Sequence, residues 1–327
     1  MLTETELRRE AASSGFRPEV LDKVLHLLEL VDALRSHPFL GPRLALKGGT
    51  ALNLFIFDVP RLSVDIDVNY VGSTSRDEML KERPRIERAL IAVCGRLGLG
   101  VRRAASEHAG GKWRLSYNTV SSASATLELD VNFILRSPLW PPVRMSSRPL
   151  AGFETSNVPV LDLHELAAGK LAALFGRTAS RDVFDVRELL ARGGLDRRRL
   201  RLGFVVYGGI NRRDWRRVSL DDVRVDPVAV ERMLVPVLRR DAAPPKHESG
   251  SWTRRLVTEC KDLLSVVLPF EPEEREFLER LNGRGEIAPE LLTNDERLQA
   301  VIRAHPGLRW KSINVRKQIG LPEPDAP

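Results

Sequence analysis

Cysteine is nearly absent from this chain. Only Cys94 and Cys260 occur in 327 residues, too few for a disulfide framework or a cysteine-built zinc site. Each reads as a buried thiol of a reducing compartment. No uninterrupted apolar run reaches the ~18 residues that a membrane helix requires. The start, Met1 to Glu6, has no basic segment leading into an apolar one, so no secretory leader is expected and the protein is placed in the cytoplasm. No Ser/His/Asp or Cys/His nucleophile set stands out, and His26 and His37 read as surface or helix-end residues. An excess of charge of one sign is modest: 51 lysines and arginines against 44 acids give +7 and a pI near 9.7. That balance permits an anionic partner without demanding one. What remains, 43% apolar and 29% charged, is an ordinary globular composition, long enough for two domains or one with a large core. There is no internal repeat.

Against this background one stretch carries chemistry, from Leu44 to Tyr70. A short apolar segment ends in Lys47-Gly48-Gly49-Thr50, a brief helix follows, and a second strand reads Ser63-Val-Asp65-Ile-Asp67-Val68. Val64, Ile66 and Val68 alternate with Asp65 and Asp67, so both carboxylates face one side of a strand. Two carboxylates held together resist ionising unless a cation sits between them, and hard oxygen ligands suit Mg²⁺. The glycines let the backbone turn sharply, Thr50 is positioned to cap the next helix, and a helix N-terminus offers N–H groups to phosphate. Metal on one side and triphosphate on the other equip a site for nucleotidyl transfer.

The chain on either side reads as follows. Residues 3–36 are helical, a charged helix runs from about Arg76 to Gly98 with Pro84 kinking or restarting it, and residues 100–135 form three strands in a meander with a turn at Gly110-Gly111. In the last strand Glu128, Asp130 and Asn132 share a face, which makes Asp130 a candidate third ligand and Glu128 a weaker one. Residues 136–160, with Pro138, Pro141, Pro142, Pro149 and Pro159, form a crossing loop or domain boundary. Next, Asp162 and Glu165 open a helix in a capping-box pattern. Its apolar stripe, through Leu163, Leu166 and Leu174, includes Lys170, a lysine that must snorkel, lose its charge or meet an anion. His164 lies off the stripe and is expected to be exposed. In the helix from Ser180, Asp182 and Asp185 share a face with Val186 and Leu189, an arrangement that orients a cation such as Lys170 or Arg181. Nine arginines fall between Arg192 and Arg217 with Tyr207 and Trp215 among them. Arginine forks bind phosphates and aromatic faces stack bases, so Arg198, Arg212, Arg213 and Arg216 are candidates for RNA binding. Further helices are expected over 227–240, 251–282 and from Thr293 to Ala304, with a flexible linker at 241–250 and a Pro-rich tail that is disordered.

Lys-Gly-Gly-Thr-Ala-Leu followed by Arg-x-Ser-x-Asp-x-Asp resembles the first motif of the AbiEii/AbiGii toxin family of nucleotidyltransferases, which includes the MenT toxins and belongs to the DNA polymerase β-like superfamily. The Lys170 segment resembles that family's second motif, and Arg181-Asp182-x-x-Asp185 its third; together they span roughly residues 43–190. The resemblance implies an α/β fold: a nucleotidyltransferase domain with a small mixed sheet over 1–150, then a mainly helical domain over 151–327 that completes the cleft. It implies Asp65, Asp67 and Asp130 as ligands of Mg²⁺ (or Mn²⁺), with Lys47, Gly48, Gly49, Thr50 and Ser63 around the NTP. Lys170 would face the nucleotide, with Asp182 in the active site and Asp185 behind it. The implied protein is a type IV toxin that transfers a nucleotide to RNA, at the tRNA 3′ end, and has a separately encoded antitoxin. Two alternatives stay open: a protein nucleotidyltransferase acting on Ser, Thr or Tyr, and a non-catalytic RNA-binding scaffold.

Overall fold

The computed structural model describes residues 2–103, 110–177 and 179–322. The tail expected to be disordered lies largely outside them, from 323 onward. The chain divides into two compact units: the first takes residues up to 136, then 141–161 and 232–245, and the second takes 137–140, 162–231 and the chain from 246.

In the first unit, α1 (Glu4–Ser14) opens with a capping box between Thr3 and Glu6 and ends at Gly15, whose φ is 77°. Pro18 begins α2 (Pro18–Ser36). The single helical run expected over 3–36 is therefore two helices, split where a left-handed glycine ends one and a proline starts the other. Leu21, Val24, Leu28 and Val31 of α2 are buried. His26, expected at the surface, is buried against Tyr117, ring centroids 4.2 Å apart.

β1 (Leu44–Lys47) leads into α3 (Gly48–Ala51), which continues as a π-helical turn over Leu52–Ile56. β2 (Asp65–Tyr70) follows, then α4 (Arg76–Arg96), which passes through Pro84 as one helix. β3 (Gly100–Arg103), β4 (Gly110–Asn118) and β5 (Ser124–Asn132) make the expected meander. Gly110 and Gly111 are not its turn: they open β4 and pair with Asn132 and Val131, so the β3–β4 connection falls outside the described residues. Trp113, Leu115 and Tyr117 of β4 and Leu127, Leu129 and Val131 of β5 are buried, while Lys112, Arg114 and Ser116 are exposed, so the period of two is real.

Two short strands complete a seven-stranded mixed sheet, β6 (Val143–Met145) and β7 (Val158–Val160), in the order β3-β4-β5-β2-β1-β7-β6. The proline-rich stretch was expected to hold no central strand, yet β7 lies between β1 and β6 with Pro159 in it. It spans three residues only, which suits a segment that lacks one backbone donor. Residues 151–161, read from sequence as the start of the second domain, thus cluster with the first unit. In the sheet β2 is interior, parallel to β5 and antiparallel to β1.

The second unit is helical: α5 (Leu163–Arg177), α6 (Ser180–Arg192), α7 (Arg197–Ile210), the single turn α8 (Pro227–Ala229), α9 (Ser249–Leu263), α10 (Pro272–Arg284), α11 (Glu296–Ala304) and α12 (Pro306–Gln318). The helix expected over 227–240 is instead a chain of short turns, with Pro236 inside it, and the one over 251–282 is two helices divided at Pro269 and Pro272. The core gathers Phe175, Phe204 and Trp215, with ring centroids 5.4 to 5.9 Å apart. Arg201 is buried beside them in sequence only because its guanidinium is satisfied: it pairs with Glu274 at 2.6 Å and donates to the carbonyls of Val266 and Pro269.

Candidate active site

The strand register brings together acids that lie far apart in sequence. Asp67 stands directly opposite Asp130 across the parallel β2–β5 pair, and Asp65 opposite Glu128. On the other side Asp67 faces Lys47 across β1, and Asp130 faces Lys112 across β4. Opposed residues of neighbouring strands project from the same face. One face of the sheet therefore carries the row Lys47, Asp67, Asp130, Lys112, with Asp65 and Glu128 two residues along.

Electrostatics separates Asp130 from Glu128. The Lys112 ammonium, 2.7 Å from Glu128, and the Arg114 guanidinium at 3.4 Å hold the Glu128 carboxyl below its ordinary range. Burial, and then the Asp67 carboxylate, push Asp130 up, with Lys47 and Lys112 opposing. Glu128 thus has its countercharge within the protein. Asp130 shares a like-charged neighbour, the condition that a bound cation relieves.

The Gly-Gly turn is built against these acids. Gly48 has φ 73°, and a Cβ placed there would stand 2.5 Å from Asp67 Oδ2. A Cβ on Gly49 would stand 2.8 Å from Ser63 Oγ and 3.0 Å from Arg61 Nη2. Bare backbone thus lies against Asp67 on one side and Ser63 and Arg61 on the other, and at Gly48 the left-handed φ favours glycine as well. Thr50 does not cap the helix. It lies within α3, is buried, and its hydroxyl donates to the Asp65 carbonyl at 2.5 Å, fastening the turn to β2.

Two residues here escaped the sequence reading. Arg61 is 2% exposed, with its Nη1 donating to the Leu62 carbonyl at 3.0 Å, and its partner in an isolated bridge is Leu238. Its only sequence signal was its place ahead of Ser63 in the Arg-x-Ser-x-Asp-x-Asp pattern. Lys112 becomes visible only through the β4–β5 register.

The residue set fits a magnesium-type ion of a particular kind. Among the described residues no three His, Cys, Asp or Glu side chains are gathered as a ready metal cage. Two or three carboxylate oxygens on an open face instead match an ion that is completed by substrate phosphates.

In the second unit Lys170, 7% exposed, lies 3.0 Å from Asp182 and 2.9 Å from Asp185, which are 1% and 0% exposed. Arg177 adds a second cation on Asp182 at 2.7 Å. Burial raises the Asp182 carboxyl, but Lys170 and Arg177 outweigh it and hold it below its ordinary value. The core-facing lysine expected from the stripe is thus paired within its own unit.

Neighbouring expectations change. Glu165 does not close a capping box: it is buried, and accepts from the Tyr207 hydroxyl at 2.6 Å and the Leu139 and Trp140 amides. Burial raises its pKa to about 7. His164, expected at the surface, is buried, its Nε2 accepting from the Asp196 amide at 2.9 Å.

The arginine-rich stretch is surface only in part. Tyr207 and Trp215, read as faces for stacking bases, are 8% and 0% exposed and belong to the core. Arg213 pairs with Asp222 at 2.6 Å, and Arg216 with Asp214 at 2.8 Å and Glu279 at 3.0 Å. Arg198 and Arg212 are exposed.

A mixed sheet carrying paired acids on its interior strand beside a glycine turn is an arrangement that suits nucleotidyl transfer. The sequence model of the nucleotidyl transferase AbiEii toxin family, of the type IV toxin–antitoxin system, matches residues 29–255, and the chain belongs to that family. Among solved structures it is similar to MenT4, a nucleotidyltransferase toxin of Mycobacterium tuberculosis, with 21% identity, a TM-score of 0.58, and coverage of 93% of this chain and 100% of that one. That likeness is one of fold. A weaker one, to JHP933 of Helicobacter pylori, has 17% identity and a TM-score of 0.43 over 76% of this chain and 95% of that one. Comparison with curated proteins finds no match. No helix among the described residues is long and apolar enough to cross a membrane.

Proposed function

We propose that this toxin transfers a nucleoside monophosphate from an NTP to RNA, at the 3′ end of tRNA, and thereby blocks translation. The observation that carries the reading is Asp67 opposite Asp130 across parallel strands, with Asp65 two residues away and the Gly48 backbone against Asp67. Asp65, Asp67 and Asp130 would hold Mg²⁺ or Mn²⁺, which when bound supplies Lewis-acid polarisation and neutralises phosphate charge.

The reaction needs positioning and charge compensation more than covalent chemistry by the protein. The acceptor's 3′ oxygen forms a bond to the α-phosphorus, the bond from that phosphorus to the β-phosphate oxygen breaks, pyrophosphate leaves, and the hydroxyl proton passes to solvent. The Gly48–Gly49 backbone, Ser63 and Lys47 line the nucleotide's place, Thr50 fastens their turn to β2, and Arg61 adds a buried guanidinium beside Gly49. In the same reading Lys170, paired with Asp182 and Asp185, is the ammonium that offsets phosphate charge. The antitoxin is separately encoded and the site of action is the cytoplasm.

The test is incubation of wild type and Asp65→Ala with each α-labelled NTP, purified tRNA and cell extract, followed by sequencing of RNA 3′ ends. Label on tRNA that vanishes in Asp65→Ala is the expected result. Label confined to protein would replace the RNA acceptor by a Ser, Thr or Tyr hydroxyl. No label in any pool, with the fold intact, would refute transfer.

A further inference from the structure

Two basic segments lie 98 residues apart in sequence, around Arg212 and around Trp310, and the second unit brings them together. The Lys311 ammonium donates to the Asn211 carbonyl at 3.1 Å, and Lys311 feels the charges of Asp214 and Arg216. Gly307, at the start of α12, is packed against Ile210 so closely that a Cβ would stand 2.9 Å from Ile210 Cγ2. The first turns of α12 are thus fastened to the loop that carries Arg212.

At this junction stands Trp310, 46% exposed, and among the described residues no other aromatic is as exposed. Asn314, one turn on, donates to the Trp310 carbonyl at 2.7 Å, and Lys317, a further turn along the same face, is exposed. An exposed ring, with Lys317 two turns along its helix face and Arg212 on the segment that Lys311 fastens, combines a π-face with phosphate partners, which is what single-stranded nucleic acid requires.

We propose that this surface receives a single-stranded segment of the RNA acceptor. Trp310 stacks an unpaired base, and Arg212 and Lys317 meet backbone phosphates. The inference rests on the RNA reading above and gives that acceptor a docking place that Tyr207 and Trp215, being buried, do not provide.

The experiment measures equilibrium binding of a fluorescein-labelled single-stranded 12-nucleotide RNA to the full-length protein, without NTP, over a range of salt. Trp310→Ala is expected to weaken binding about 5- to 150-fold, and Trp310→Phe to keep most of it. Arg212→Ala is expected to lower the slope of log affinity against log salt by about 0.7. Trp310→Ala binding like wild type would overturn the proposal, and so would equal losses in Trp310→Ala and Trp310→Phe. Absence of any RNA binding by wild type would also overturn it. Because no NTP is present, the outcome separates from that of transfer: RNA bound through Trp310 but never labelled leaves the surface standing and removes the acceptor reaction. Full labelling by Trp310→Ala at limiting RNA does the reverse.

Discussion

Gly48→Ala tests how the glycine turn is used. At Gly48 two penalties coincide, and Gly98 separates them. Gly98 has φ 69° and open space around its missing Cβ, with no heavy atom within 4 Å. Gly98→Ala therefore reports the left-handed backbone penalty alone, about 1–2 kcal/mol. Gly48, at φ 73°, carries the same penalty, but its Cβ would also stand 2.5 Å from Asp67 Oδ2 and 3.1 Å from Asp67 Cβ. The carboxylate oxygen can swing away; the Cβ is tied to β2, which is hydrogen-bonded on both sides. Relief must come by turning the Asp67 carboxylate off its present line or by lifting the turn. Either displaces a proposed ligand, and a 1 Å misplacement in a reacting constellation costs roughly 100-fold. Urea unfolding of both variants should show similar losses at these two sites, with Gly48→Ala somewhat larger. Single-turnover labelling by Gly98→Ala should match wild type, whereas Gly48→Ala should fall about 100-fold or more. Wild-type labelling by Gly48→Ala would refute the claim that this backbone and Asp67 form one site.

Asp130→Asn removes a half-buried carboxyl that Asp67 opposes. It should raise the melting temperature of the metal-free protein at neutral pH while abolishing the further rise that Mn²⁺ with NTP gives to wild type; a less stable variant that still responds to Mn²⁺ would contradict the assignment. Lys170→Met takes from the buried Asp182 and Asp185 the ammonium they share, at a cost of about 3–5 kcal/mol. Adding Asp185→Asn should recover part of that stability in urea unfolding but none of the labelling, and recovered labelling would make Lys170 purely structural. Glu165 titrates near 7 in the fold against an ordinary 4.5, so the folded state holds its proton between those values. Its contribution is therefore present below pH 4.5 and lost as pH rises through 7, each unit in that window costing about 1.4 kcal/mol. Glu165→Gln should flatten the pH dependence of stability between 4.5 and 7, measured by urea midpoints, and an unchanged slope would assign it to another group.

The features that could be read from sequence are those whose determinants are local. Alternation within 64–68 put Asp65 and Asp67 on one face, and the stripe of α5 turned Lys170 inward, because a strand or helix states its own faces within a few residues. Pairing between strands is not local, and Arg61 and Lys112 went unread for that reason. Lys112 neutralises Glu128 only because Gly110–Asn118 runs antiparallel to Ser124–Asn132 in one register. A shift by one residue would turn it to the opposite face. The aromatics of the arginine-rich stretch failed differently. Charge density along the chain said surface, while Trp215 sits where a Cβ on Gly208 would lie 1.8 Å from its Nε1. The signal was present in Gly208, one of three glycines inside α7, where the helix gives up propensity so that a large ring can approach its backbone. Burial of Trp215 then leaves Trp310 as the exposed ring, and it moves the question of RNA contact from composition to the place where α12 meets the end of α7.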